Sequence, residues 1–171
     1  MTGFVRTLDD RIDTSSIKPL YIRPSTILVR PGNPKAIGGI RDLSSGQFKI
    51  MVVGGAGQVG MWEDVVGRTG DLRLLAGFRK NIVDFADNSG HALKKWKADP
   101  SIDAWLIWNH WQVAHPDIAD QVAVEPELTI WRSMDVALTT TGTKKPAAKA
   151  FIEFLTSPQA EDVFRKQGWS R

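Results

Sequence analysis

KIMVVGGAGQVGMWEDVV, residues 49–66, decides the fold. Ile50, Met51, Val52 and Val53 form a short apolar run, the pattern of a buried strand. Gly54 to Gly60 is a glycine-rich turn, and a helix opens at Met61. A strand that passes through such a turn into a helix holds anions. The first helical N–H groups have no intrahelical partner, and the macrodipole adds partial positive charge. Glycines let the backbone come close to the anion. Three readings are open: a dinucleotide, a small anion, and a tight turn with no ligand. Gly55-Ala56-Gly57-Gln58-Val59-Gly60 matches the dinucleotide fingerprint letter for letter. Its surroundings argue against that reading. The fingerprint normally follows the first strand of its domain, and here 48 residues precede Lys49. Gly67-Arg68-Thr69-Gly70 stops the following helix early. The acidic residue expected about 20 positions on has no clean candidate, because Asp84 and Asp87 lie in a polar stretch.

The chain has 171 residues, enough for a sizeable core. Hydrophobic residues make up 42% and charged residues 24%, so disorder is not expected. The net charge of +3 and the pI of about 9.3 suit an anionic ligand. No dense basic run with interleaved aromatics points to nucleic acid. With no cysteine, disulfides, thiol catalysis and thiolate metal sites are excluded. No apolar stretch is long enough to span a bilayer. Met1 to Arg6 lacks the basic start and apolar run of a signal peptide.

Read in order, the chain alternates strands and helices, which makes the fold class α/β. Phe4 to Leu8 reads as the tail of a helix. Leu20–Arg23 and Thr26–Arg30 read as two strands divided by Pro24, which implies an edge or a bend. Pro31 to Pro34 is a turn. Ile37 to Leu43 reads as a linking segment and Ser44-Ser45-Gly46 as a loop. Asp71 to Lys80 has helical spacing, and Asn81 to Val83 is a short strand. Asn88 or Ser89 caps a helix that turns Leu93 and Trp96 inward. Ile102 to Trp108, IDAWLIW, carries the mark of a strand buried on both faces. Further strands are expected at Val122–Val124, Leu128–Trp131 and Val136–Thr139. Pro146 opens a helix that carries Ala147, Ala150, Phe151, Phe154 and Leu155. Ser157 and Pro158 open another, with Val163 and Phe164 toward the core and Gly168 at its close.

Three parts together, ILVRPGNP at residues 27–34, the glycine turn and the final PAAKAFIEFLTSPQAEDVFRKQGW, resemble a known family. The chain is similar to type II periplasmic solute-binding proteins, above all the molybdate/sulfate class and its accessory colonization factor relatives. The similarity runs from about Ile17 to the C-terminus. It implies two α/β lobes joined by crossover strands, with an oxyanion clamped between them. On this resemblance, residues 1–30 are a partial first lobe and crossover strand, and 31–131 are the second lobe. Residues 132–171 are then the return crossover and the C-terminal helices of the first lobe. Most of the first lobe, with its signal peptide and half of the ligand donors, is expected to be absent. The resemblance implies ligand contacts from the backbone of Ala56, Gly57, Gln58 and Val59, and from Trp108 with Asn109 beside it. Family members often have tyrosine at the position of Trp108, which offers one N–H donor and no hydroxyl. The implied partner is an ABC permease and the implied location the periplasm, with no enzyme activity and no cofactor. An NAD(P)-binding oxidoreductase domain built on Gly55–Gly60 is the alternative. Unpaired C-terminal helices, exposing Phe151, Phe154, Leu155 and Phe164, would favour homo-oligomers.

Other candidates are weaker. His110 and His115, near Asp117, are spaced for neither a helix pair nor strand alternation, so they read as loop residues without a metal. His91 reads as an exposed helix residue. Glu63 and Asp64 are first-turn acids that favour the helix dipole. No activated nucleophile arrangement is present, so no catalytic residue is expected. The late tryptophans, Trp96, Trp105, Trp108, Trp111 and Trp131, read as core, with a stacking platform as the other use. Arg79 and Lys80 either reach the cleft or cap a solvated helix end.

Overall fold

The computed structural model describes residues 2–55 and 58–171. The chain divides into two compact units, a central one of Pro24–Trp131 and a terminal one of Met1–Arg23 with Arg132–Arg171.

The central unit is built on a sheet with strand order β3-β2-β4-β1-β5. Its strands are β1 (Lys18–Val29, which begins in the terminal unit), β2 (Ile50–Val53), β3 (Ile82–Ala86), β4 (Ala104–Trp108) and β5 (Asp120–Ala123). β2 runs parallel to β3 and β4, and β1 runs antiparallel to β4 and β5. Every residue of β2 and β4 is buried, because both faces of the sheet are covered. On one face Ile50, Val52, Leu106 and Trp108 pack against three helices, α2 (Ile40–Ser45), α3 (Met61–Gly67) and α4 (Leu72–Asn81). On the other face Met51, Val53, Trp105 and Ile107 pack against Ala92 and Trp96 of α5 (Ser89–Ala98). A short helix, α6 (His110–Ala114), follows β4.

Several expectations are corrected. Pro24 does not divide β1. It lies just beyond Ser25, the last residue in register with β4, so no bond of that pairing needs its missing N–H. The segment expected to link and loop over residues 37–46 contains α2. The Glu125 carboxylate accepts from Ile40 N (2.9 Å) and Arg41 N (3.0 Å) and so supplies an N-cap that is remote in sequence. Leu128–Ile130 is no strand, since Glu125 O takes Leu128 N and Thr129 N in a helical turn. His110 opens α6 rather than lying in a loop.

The terminal unit holds α1 (Thr2–Leu8), the start of β1, β6 (Trp131–Val136, which pairs with β1), α7 (Pro146–Leu155) and α8 (Pro158–Lys166). The strand expected at Val136–Thr139 comes earlier as β6, and Thr139 forms a lone bridge with Ile12. Both C-terminal helices have proline in the first turn, and Ser157 Oγ caps α8 by accepting from Ala160 N. Tyr21 is the unit's anchor. It is buried, its hydroxyl donates to Leu155 O (2.7 Å), and its ring stacks on Phe164 with centroids 4.1 Å apart. Val163, expected in the core, is exposed, as are Phe151 and Phe154. Ile152 and Ala160 make the buried contacts of the two helices.

Candidate functional site

Because β2, β3 and β4 are parallel, their carboxyl ends share one edge of the central unit, the edge at which open α/β sheets bind ligands. Three connections meet there: the turn Gly54–Gly60 after β2, Asp87-Asn88 leading into α5, and Asn109 leading into α6. Gly54 N donates to Ala86 O (2.9 Å), which ties the start of the turn to the end of β3. A Cβ on Gly55 would stand 2.2 Å from Asp87 O, so the turn approaches β3 as only glycine allows.

Gln58 is the polar centre of this edge. It is 5% exposed, its N–H donates to Gly55 O (3.0 Å), and its Nε2 donates to Ser89 Oγ (2.7 Å). Its Oε1 is buried with no partner among the described residues. The Ser89 hydroxyl, having accepted from Gln58, keeps its own proton for a further acceptor. Asn88 caps α5 by accepting from His91 N (2.9 Å). The first-turn N–H groups of Ser89 and Gly90 therefore lie at the same edge. Gly60, with φ of 75°, turns the chain into α3, where Met61 N donates to Gln58 O.

The remaining sequence candidates are placed as follows. Ala56 and Gly57 lie outside the described residues. Val59 is 73% exposed beside Gln58. Trp108 ends β4 with only 2% exposure, and its indole belongs to the core cluster with Ile27 and Leu106. Asn109 is half-buried, and its N–H donates to Pro24 O (3.2 Å). Glu63 and Asp64 sit in the first turn of α3 and are exposed, so they oppose an anion weakly. Ser89 escaped the sequence reading as a site residue, because that reading took it only as an alternative to Asn88 for the helix cap, a role that Asn88 fills. The distance of 31 residues to Gln58 gives no local signal.

Among the described residues no group of three or more His, Asp or Glu side chains is arranged for a metal ion. His110 and His115 flank the Trp111 ring, with centroids 5.7 and 5.8 Å away. Trp96 and Trp105 are core, whereas Trp131 is half-exposed. Arg79 lies over the Phe85 ring at 4.8 Å. Asp87 follows directly on β3, the parallel neighbour of β2, so it does not lie in an unstructured polar stretch. An acidic residue at a strand end is thus present, and the dinucleotide reading has to be judged on kinship.

The family model for bacterial extracellular solute-binding proteins matches residues 4–170. The chain belongs to that family. The structure of L-phospholactate-bound PEB3 is similar to this solute-binding protein with 37% identity and a TM-score of 0.90, over 99% of this chain and 74% of that one. Peb3 from Campylobacter jejuni gives 36% identity and a TM-score of 0.87 over the same shares. The periplasmic molybdate-binding protein of Azotobacter vinelandii shares 16% identity and a TM-score of 0.71, over 99% of this chain and 75% of that one, which is likeness of fold. A comparison with curated proteins finds no match. The fold is that of the type II periplasmic binding proteins, and the kinship is to solute carriers rather than to NAD(P)-dependent oxidoreductases.

Proposed function

We propose that this solute-binding protein captures a small anionic solute at the carboxyl edge of β2, β3 and β4 and delivers it to an ABC permease outside the cytoplasm. The backbone N–H groups of Ala56, Gly57 and Val59 hold one oxyanion group beside Gln58, whose own N–H is taken by Gly55 O. The Ser89 hydroxyl and the Asn109 side chain add polar contacts, while Trp108 backs the site from the core. The two compact units stand for the two lobes of the family. The observation that carries this reading is the likeness to PEB3, whose structure contains L-phospholactate. That compound bears a tetrahedral phosphate and a carboxylate. Sulfate, molybdate and tungstate are also tetrahedral oxyanions, and a turn of backbone donors suits this shape. The buried Gln58 and its bond to Ser89 support the same edge as the place of binding.

A thermal shift series tests the proposal with L-phospholactate, phosphate, sulfate, molybdate, tungstate and NADH. A true ligand at 100 times its Kd stabilises the folded chain by about 2.7 kcal/mol. Stabilisation by one of the oxyanions, lost in Gly57→Val with an unchanged far-UV spectrum, is the expected result. Stabilisation by NADH alone overturns the proposal.

A further inference from the structure

The starts of β2, β3 and β4 share the edge of the central sheet opposite the candidate site. A cleft of about 640 Å³ opens there. Lys49, Asn81 and Asp103, which immediately precede the three strands, line it together with Lys35, Phe48 and Lys80. Every lining residue belongs to the central unit. β2, with four residues, sets this cleft about 13 Å from the glycine turn.

The acceptors of the cleft wall are engaged within the chain. Asn81 Nδ2 donates to Leu43 O (2.9 Å) and Gly46 O (2.7 Å), which closes the C-terminal end of α2. Asp103 Oδ2 accepts from Lys49 N (2.9 Å), and its charge also acts on Arg30. The donors are not engaged. Among the described residues, Lys35, Lys49 and Lys80 are exposed and make no ion pair. The dipole of α4 favours a cation at Lys80, in its last turn. Lys35 and Lys49 lie outside any helix, so no dipole accounts for them. Three ammoniums thus share the cleft with one carboxylate, and like charges gathered around a concavity raise its potential for an anion.

We infer that this amino-edge cleft is a second anion site, for a compact polyanion that carries two or more phosphate or carboxylate groups. A single exposed lysine holds a single charge weakly, because water and salt screen the pair. Several charges on one small molecule engage two or three lysines together, and each contact after the first is intramolecular. The cleft has the volume of a small-molecule site. It lies away from the edge proposed for the solute, so the two readings stand or fall separately.

An amide NMR titration of the whole chain at low ionic strength tests it with inorganic pyrophosphate, citrate and acetate. Pyrophosphate or citrate is expected to move the amide signals of Gly46, Lys49 and Asn81 to saturation, and acetate, with one charge, is not. The tighter of the two polyanions identifies the group held, phosphate or carboxylate. The double variant Lys49→Ala, Lys80→Ala is expected to weaken binding about 10-fold. Lys94→Ala, Lys97→Ala removes the same charge from α5, on the other face of the sheet, and is expected to change the affinity less than about twofold. Equal weakening in both double variants overturns the inference, since the attraction then belongs to the net charge. Saturation by acetate at the same concentration overturns it also, as does the absence of any cleft shift with either polyanion. If the first double variant does not fold, Lys35→Ala decides, with a loss of about threefold expected. Shifts at Gln58 and Ser89 are read separately and report on the solute edge alone.

Discussion

Replacing Arg30 by methionine is expected to unfold the central unit well before any other single change outside its core. Arg30 follows β1, and its guanidinium donates to three carbonyl oxygens: Nε to Ile102 O (2.8 Å), Nη1 to Trp96 O (3.0 Å) and Nη2 to Asp99 O (2.6 Å). It also lies 3.6 Å from the centroid of the Trp96 ring. The cation closes the C-terminal end of α5, where orphan carbonyls and the dipole both favour it. Burial lowers its pKa, although Asp99 and Asp103 pull the other way, so part of the gain is spent on desolvation. Hydrogen bonds to a charged group contribute about 1.5–3 kcal/mol each, which gives roughly 4.5–9 kcal/mol gross for three. The cation–π contact adds about 0.5–2 kcal/mol. Desolvation of the guanidinium, and water reaching some of the freed carbonyls, take back about half, leaving a net loss of roughly 3–4 kcal/mol on Arg30→Met. With an m-value of about 2 kcal/mol/M, the urea midpoint moves down by roughly 1.5–2 M. Arg30→Lys keeps the charge but not the fork, and is expected to recover less than half of the loss. A midpoint shift below about 0.5 M for Arg30→Met would refute this account of the α5 terminus.

Three further predictions concern the same unit. Gly55→Ala places a methyl group against Asp87 O, so we expect a loss of about 1–3 kcal/mol in thermal denaturation and no oxyanion response in the shift assay. Glu125→Ala removes both acceptors of the α2 N-terminus. We expect roughly 2 kcal/mol of destabilisation, and faster amide exchange at Ile40 and Arg41 in particular. Asp71, held low mainly by its bond to Arg73, and Asp99, held low mainly by Ser101, contribute stability that is present above the ordinary carboxylate range and lost as pH falls through their lowered pKa values. An acid titration should therefore show a shallower loss of stability in the Asp71→Asn, Asp99→Asn double variant than in the wild type.

What was legible in the sequence is what depends on neighbours along the chain. The all-apolar run into Trp108 gave β4, and the proline and serine signals gave α7 and α8, because strand burial and helix caps are local rules. What was hidden depends on residues far away. α2 exists where glycine and serine suggested loops because Glu125, 85 residues from Ile40, caps it. Gly77 in α4 would place a Cβ 2.0 Å from Ser44 O, so the two helices approach more closely than periodicity alone could indicate. Gln58 reads as one polar letter inside a glycine motif. Only the fold buries it against Ser89.

The glycine string itself shows why a motif can match and still mislead. In the dinucleotide fingerprint the glycines permit a tight turn, close approach to a pyrophosphate and close packing of helix on strand. Here the atom that forbids a side chain on Gly55 is a backbone oxygen of Asp87 in the neighbouring chain segment, and Gly60 is spent on a left-handed turn into α3. Two of the three matching letters are thus accounted for by the sheet edge and the helix start, with no nucleotide. α3 runs for only seven residues, which suits a small anion held by a few N–H groups better than the doubly charged span of a dinucleotide, and the acids of its first turn oppose the larger charge more strongly. A fingerprint of glycines encodes closeness, and the fold decides what comes close. The identity of the ligand must therefore be read from the side chains that the glycines leave room for. In this chain these are Gln58 and Ser89, joined at the carboxyl edge of the central unit's sheet.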